Sequence, residues 1–179
     1  MSTQQIETFS LRQATQDDLP FLREMCLLAA YPMAPQDKIP PIEDALNDAD
    51  IKPYVDGLLS RPGDFGLVAM NDHGEPVGAA WYRRYERDDR DAVVPQDELT
   101  IAVRSDARSR KVGQRLLGGL ISRAAEEGID ELGLQVAKDN TRAKQLYIKL
   151  GFDPKGKNGG FEVMAKTPAA TAIATVAHA

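Results

Sequence analysis

The chain has 179 residues, 42% of them apolar and 27% charged, with a net charge of −5. That balance fits one globular domain with a sizeable core and speaks against nucleic acid as a partner. A single cysteine, Cys26, rules out an internal disulfide, no apolar run approaches the roughly 20 residues of a membrane helix, and the opening MSTQQIETFS has no signal-peptide pattern, so a cytoplasmic protein without a membrane partner is expected.

Residues 1–8 are polar and are expected to be a flexible terminus. Phe9–Gln13 suits a short strand. The cluster Thr15-Gln16-Asp17-Asp18 suits a helix start, and Pro20 is tolerated only in a first turn. Leu22, Met25, Cys26 and Ala29 mark the buried face of that helix, with Cys26 as a small core residue. The proline-rich segment 31–41 reads as a loop. Residues 42–59 suit a second helix that Pro53 should break or kink.

Phe65–Met70 and Pro76–Arg84 read as strands joined by a hairpin turn at 71–75, with His73 a solvated residue at its tip. Trp81 and Tyr82 fall on opposite faces, so one of them should be buried. Residues 86–91, ERDDRD, read as a solvated charged loop.

In the stretch 98–103, Leu99, Ile101 and Val103 alternate with Glu98, Thr100 and Ala102, the period of a half-buried strand. A basic loop follows at 104–111. A helix over 112–127 then presents Leu116, Leu117, Leu120, Ile121 and Ala124 on one face. Its first N–H groups lack partners and its dipole is positive there, so this end should collect an anion. Arg104, Arg108, Arg110, Lys111 and Arg115 add charge, and a pyrophosphate is the expected ligand. Gly118 and Gly119 suggest close packing of the helix on the sheet, and Gly128 a helix stop.

Leu132, Leu134 and Val136 form the next strand. Asn140 and Thr141 can cap a helix with the stripe Ala143, Leu146, Tyr147 and Leu150, closed by Gly151. Phe152 starts a strand, Lys155–Gly160 is expected to be a turn, Phe161–Lys166 is the last strand, and 167–179 a loose tail that includes His178. Strand–helix units at 98–152 imply parallel pairing and the hairpins antiparallel pairing. The fold class is α/β, with a mixed, mainly antiparallel sheet over 9–166.

Two of these stretches together resemble the GCN5-related N-acetyltransferases (GNAT). Arg108-Ser109-Arg110-Lys111-Val112-Gly113 is similar to that family's acyl-CoA loop, Q/R-x-x-G-x-G/A. Asn140, Ala143, Leu146, Tyr147, Gly151 and Phe152 are similar to its N-x-x-A-x-x-L-Y-x-x-x-G-F. Lys111 departs from the pattern, standing where the family usually has its first Gly. The resemblance implies flanking helices and a parallel strand pair, 98–103 with 131–137, that splays to admit a pantetheine arm. It implies acetyl-CoA as cosubstrate, held by Ile101, Ala102 and Val103, by Arg108, Ser109, Arg110, Lys111, Val112, Gly113 and Gln114, and by Asn140 and Tyr147. It implies no metal.

Acyl transfer to an amine also needs an acid for the leaving thiolate and a route for the amine's proton. Similar enzymes use a tyrosine at the position of Tyr147 as the acid. Relatives that act on protein N-termini often carry a glutamate at the position of Gln135, and a glutamine cannot take a proton. Glu98 is the candidate base, acting through a water. Tyr31, Met33 and Tyr54 are candidates for the acceptor wall. Lys111 is expected to hold a helical φ with its side chain outward. The expected activity is acetyl transfer to a primary amine, on a small molecule or a protein, by a monomer or homodimer. The alternative is a non-catalytic acyl-CoA-binding module.

Overall fold

The computed structural model describes residues 8–87, 93–108 and 111–169. Residues 1–7 of the expected flexible start, 170–179 of the tail with His178, most of the charged loop at 86–91, and Ser109 and Arg110 therefore lie outside the described residues.

The first strand, β1 (Ser10–Gln13), leads through a 3-10 turn at Gln16–Asp18 into α1 (Leu19–Ala30). Thr15 and Asp18 cap that start reciprocally, and Pro20 sits in the first turn, where its missing N–H costs nothing. The single helix expected over 42–59 is two short ones, α2 (Ile42–Leu46) and α3 (Lys52–Val55). The expected break is present, with Pro53 in the first turn of the second helix.

Strands β2 (Phe65–Met70) and β3 (Pro76–Arg84) form a hairpin whose Gly74 takes a φ of 75°. Then follow β4 (Asp97–Val103), α4 (Val112–Glu126), β5 (Leu132–Ala137), α5 (Thr141–Lys149), β6 (Asp153–Asn158) and β7 (Phe161–Lys166). The expected turn at Lys155–Gly160 is mostly strand: β6 pairs with β7 as far as Asn158, and the turn is confined to Gly159 and Gly160.

The seven strands lie in the order β1-β2-β3-β4-β5-β7-β6, antiparallel throughout except β4 with β5. Helices cover both faces. On one, α4 packs Leu116, Leu117, Leu120 and Ala124 with Tyr82, Leu99, Leu134 and Met164. On the other, Leu22, Met25 and Cys26 of α1, with Val55 and Leu58, pack on Val68, Ala79 and Trp81. Both Trp81 and Tyr82 are therefore fully buried, not one of them. No helix among the described residues is long and apolar enough to cross a membrane.

Candidate active site

The parallel pair β4 and β5 is joined only at its start, Asp97 to Leu132 and Glu98 to Gly133. Beyond that the two strands part. β4 keeps β3 on its other edge as far as Val103, so its edge toward β5 is left without a strand partner from Thr100 on. A cavity of about 1130 Å³ fills the opening. Thr100–Val103 line one side and Leu134–Ala137 the other, and the starts of α4 and α5 close one end.

At that end the chain makes a 3-10 turn at Ser105–Ala107 and enters α4 at Val112. Arg108, Lys111, Val112, Gly113 and Gln114 all border the cavity. The Lys111 side chain makes no capping bond to α4, so among the described residues its first amides are open to a ligand. Lys111 corrects an expectation: it holds φ 63° and ψ 13°, the left-handed region, as the residue that caps α4. The backbone turn that a Gly makes easily is thus made here with a Cβ in place. Two of the expected charges turn elsewhere. Arg104 pairs with Glu24 at 3.0 Å, donates to Pro76 O and lies over the Phe21 ring, and Arg115 donates to Phe9 O.

Asn140 and Tyr147 border the cavity from α5. The Asn140 side chain accepts from the Ala143 N–H at 3.2 Å and so starts the helix. Tyr147 packs edge-on against Phe152, ring centres 6.0 Å apart. Burial pushes its phenol up to about 12, so it keeps its proton at neutral pH.

The far end is a polar cluster assembled from separate elements. Glu98 on β4 is only 2% exposed. Arg87 donates to its Oε2, and to Pro95 O. Tyr54 of α3 donates its O–H to Glu98 Oε1 at 3.2 Å, and Gln135 of β5 donates its Nε2 to the same oxygen at 3.1 Å. Gln135 Nε2 also donates to the Tyr54 hydroxyl at 3.2 Å, while Asn158 of β6 donates to Gln135 Oε1 at 2.9 Å. Tyr31 and Met33 border the same cavity. Cys26 also touches it, but burial pushes its thiol up to about 12.

Below Tyr54, Arg83 is fully buried. It pairs with Asp64 at 3.0 Å and donates to the carbonyls of Pro53, Asp56 and Gly57. All five of its donors have partners, so the backbone on both sides of Tyr54 is held from beneath.

The cavity is bordered by the described residues expected at the site except Arg104 and Arg115. Arg87, Asn158 and Arg83 were missed. Arg87 sits in a charged run that reads as solvated, and the only signal for it is Glu98, an acid inside a strand that needs a cation once buried. Among the described residues no group of three or more His, Cys, Asp or Glu side chains could hold a metal ion.

Comparison with known proteins bears on this arrangement. The sequence model of the acetyltransferase (GNAT) family matches residues 24–152. No curated protein matches the chain. Solved structures with the same fold include the PaiA N-acetyltransferase of Thermoplasma acidophilum in complex with coenzyme A, at 18% identity and a TM-score of 0.67 over 89% of this chain and 99% of that one. YncA of Salmonella typhimurium, solved with acetyl-CoA, is similar at 19% identity and a TM-score of 0.65 over 92% and 96%. The ribosomal-protein-alanine N-acetyltransferase of Brucella melitensis is similar at 25% identity and a TM-score of 0.64 over 88% and 99%.

Proposed function

The chain belongs to the acetyltransferase (GNAT) family, and we propose that it transfers an acetyl group from acetyl-CoA directly to a primary amine, with residues 9–166 as the one domain that does so. The observation that carries this reading is the opening between β4 and β5, with helix-start amides at one end and a buried carboxylate at the other. The unpaired edge of Ile101, Ala102 and Val103 fits the amide groups of a pantetheine arm, because strand backbone needs donors and acceptors beside it. The amides of Val112, Gly113 and Gln114 fit a pyrophosphate, with Arg108 and Lys111 adding charge. Ser109 and Arg110 join them on sequence grounds alone. Two structural neighbours solved with coenzyme A or acetyl-CoA support the same donor. A cytoplasmic setting, where Cys26 stays a thiol, belongs to this reading.

When bound, acetyl-CoA supplies a thioester carbonyl and a thiolate leaving group. Tyr147 holds its phenol proton at neutral pH and is the donor we assign to that sulfur. Glu98 is the anion that draws an ammonium into the far end of the cavity, where low solvent access strengthens the attraction. It is also the base that finally holds the amine's proton.

The test is thiol release from acetyl-CoA with a panel of benzylamine, spermidine and an alanine-starting peptide. We expect release with at least one amine. Tyr147→Phe should keep the rise in melting temperature given by acetyl-CoA and lower kcat about 10²-fold. Unchanged kcat would return Tyr147 to a packing role. A chain that is stabilised by acetyl-CoA but releases no thiol with any amine would be a non-catalytic acyl-CoA-binding module instead.

A further inference from the structure

We infer that Tyr54 is a catalytic proton relay, passing the acceptor ammonium's proton to Glu98, and that Gln135 and Asn158 are the positioning residues that aim it. This inference rests on the transferase reading above.

Its starting point is how crowded Glu98 is. A carboxylate accepts through about four lone-pair sites. Arg87 takes one on Oε2, and Tyr54 and Gln135 both donate to Oε1. With 2% of its surface exposed, Glu98 offers an amine little direct access. Tyr54 is less buried than Glu98 and both border the cavity, so we place the ammonium on the Tyr54 oxygen. A phenol oxygen has two lone pairs. Gln135 Nε2 occupies one at 3.2 Å, which leaves one for an ammonium N–H.

The step balances as a double transfer. An N–H bond of the ammonium breaks as an O–H bond forms on Tyr54. The original Tyr54 O–H bond breaks as one forms on Glu98 Oε1. Tyr54 is neutral before and after, Glu98 has gained the proton, and the amine has gained its lone pair. Burial first, and then the charge of Glu98, raise the Tyr54 phenol well above its ordinary range. It therefore does not rest as a phenolate, and the charge is carried by the carboxylate. Arg87 donates to the other oxygen, Oε2, so the proton arrives on Oε1 without displacing that ion pair.

The aim of the phenol is built in. Asn158 donates to Gln135 Oε1 at 2.9 Å, which turns Nε2 toward both Glu98 and Tyr54. Arg83 fixes the carbonyls of Pro53, Asp56 and Gly57 around Tyr54. Gln135, which cannot take a proton itself, has a stated task here: it orients the two groups that do.

The experiment measures kcat and the KM for the amine, at saturating acetyl-CoA, with the best amine of the benzylamine, spermidine and peptide panel. Wild type, Tyr54→Phe, Glu98→Gln and the double variant are compared, with the acetyl-CoA melting shift as the folding control. Tyr54→Phe should lower kcat about 10²-fold with KM for the amine moving less than about threefold. Glu98→Gln should lose about as much, and the double variant little more than either single, because groups on one path are not additive. A Tyr54→Phe variant within about threefold of wild-type kcat, or losses that multiply in the double variant, would overturn the relay. If Tyr54→Phe fails to show the melting shift, Gln135→Leu decides: about tenfold lower kcat supports the relay, and unchanged kcat overturns it. Absence of wild-type thiol release would sink the transferase reading and the relay with it, whereas wild-type release alongside an undiminished Tyr54→Phe sinks the relay alone.

Discussion

Lys111 sits at a left-handed turn with φ 63°, where a Cβ crowds the backbone at a cost of about 1–2 kcal/mol. Glycine would remove that strain, and its freer unfolded chain would give back about 0.4–1 kcal/mol. Lys111→Gly should therefore stabilise the chain by about 0.5–1 kcal/mol in urea unfolding. A loss of stability would mean that the lysine side chain makes contacts that outweigh the strain. Asp18 sets a second residue-scale balance. Arg12 donates to both its oxygens at 2.8 and 2.7 Å and the Thr15 N–H adds a third bond at 2.8 Å. The hydrogen bond from Arg12, and then that from the Thr15 N–H, bring its carboxyl down to about 2 against the cost of burial. The folded pKa lies below the unfolded value, so the unfolded chain binds more protons as pH falls. The stabilisation is complete above pH 4, near the unfolded pKa, and is lost as pH drops toward 2. Because Arg12 is 43% exposed, we expect about 1–2 kcal/mol, less than the full shift implies. Asp18→Asn should cost that much at pH 7, with the gap to wild type closing toward pH 2. A gap that stays constant across this range would count against the ion pair.

Within α4 the two adjacent glycines differ in kind. A Cβ on Gly119 would lie 2.6 Å from Leu67 Cδ1 on β2, while one on Gly118 meets nothing within 4 Å. Gly118→Ala should gain about 0.5–1 kcal/mol of helix propensity, and Gly119→Ala should gain less or lose, since Leu67 must move. Melting curves of the two variants check this, and equal shifts would contradict the close contact. The sequence shows the limit of local patterns at the same spot: the pair of glycines pointed to close packing, but only the helix's rotation on the sheet tells which one is needed. The hairpin turn at 71–75 between two apolar runs gave the bounds of β2 and β3 to the residue, because turn chemistry is local. It could not show that both Trp81 and Tyr82 are buried, since that depends on α1 covering the second face. Two site motifs were legible because each is a run of near neighbours in sequence: Arg108 to Gly113, and Asn140 to Phe152. Tyr54, Glu98 and Gln135 were separate candidates, but their grouping with Arg87 and Asn158 was not legible, because the members come from separate elements and meet only through the sheet order.

The whole sheet is two parts held at one short seam. β1 to β4 form an antiparallel part, β5 to β7 another, and the direct bond between them is the pair of register positions at the start of β4 and β5. That seam is packed tightly: a Cβ on Gly133 would lie 2.5 Å from Pro95, which precedes β4. Past it, the two parts are bridged by the Gln135–Glu98 hydrogen bond and then by nothing that pairs strand to strand. A ligand that lies in the opening and bonds the free edge of β4 would replace the missing ladder and tie the parts together. Binding to the folded chain alone at 100 times the dissociation constant adds about 2.7 kcal/mol. Acetyl-CoA should therefore raise the melting temperature, and the gain should be local as well as global. Amide exchange at Ile101, Ala102 and Val103 should slow on the edge that faces β5. Amides in the hairpin of β2 and β3, already laddered on both sides, should change only as far as global stability does. Hydrogen exchange with and without acetyl-CoA distinguishes the two effects. If the melting temperature rises while residues 101–103 keep their exchange rates, the ligand is held at the α4 end alone, and the opening between the strands is not its slot.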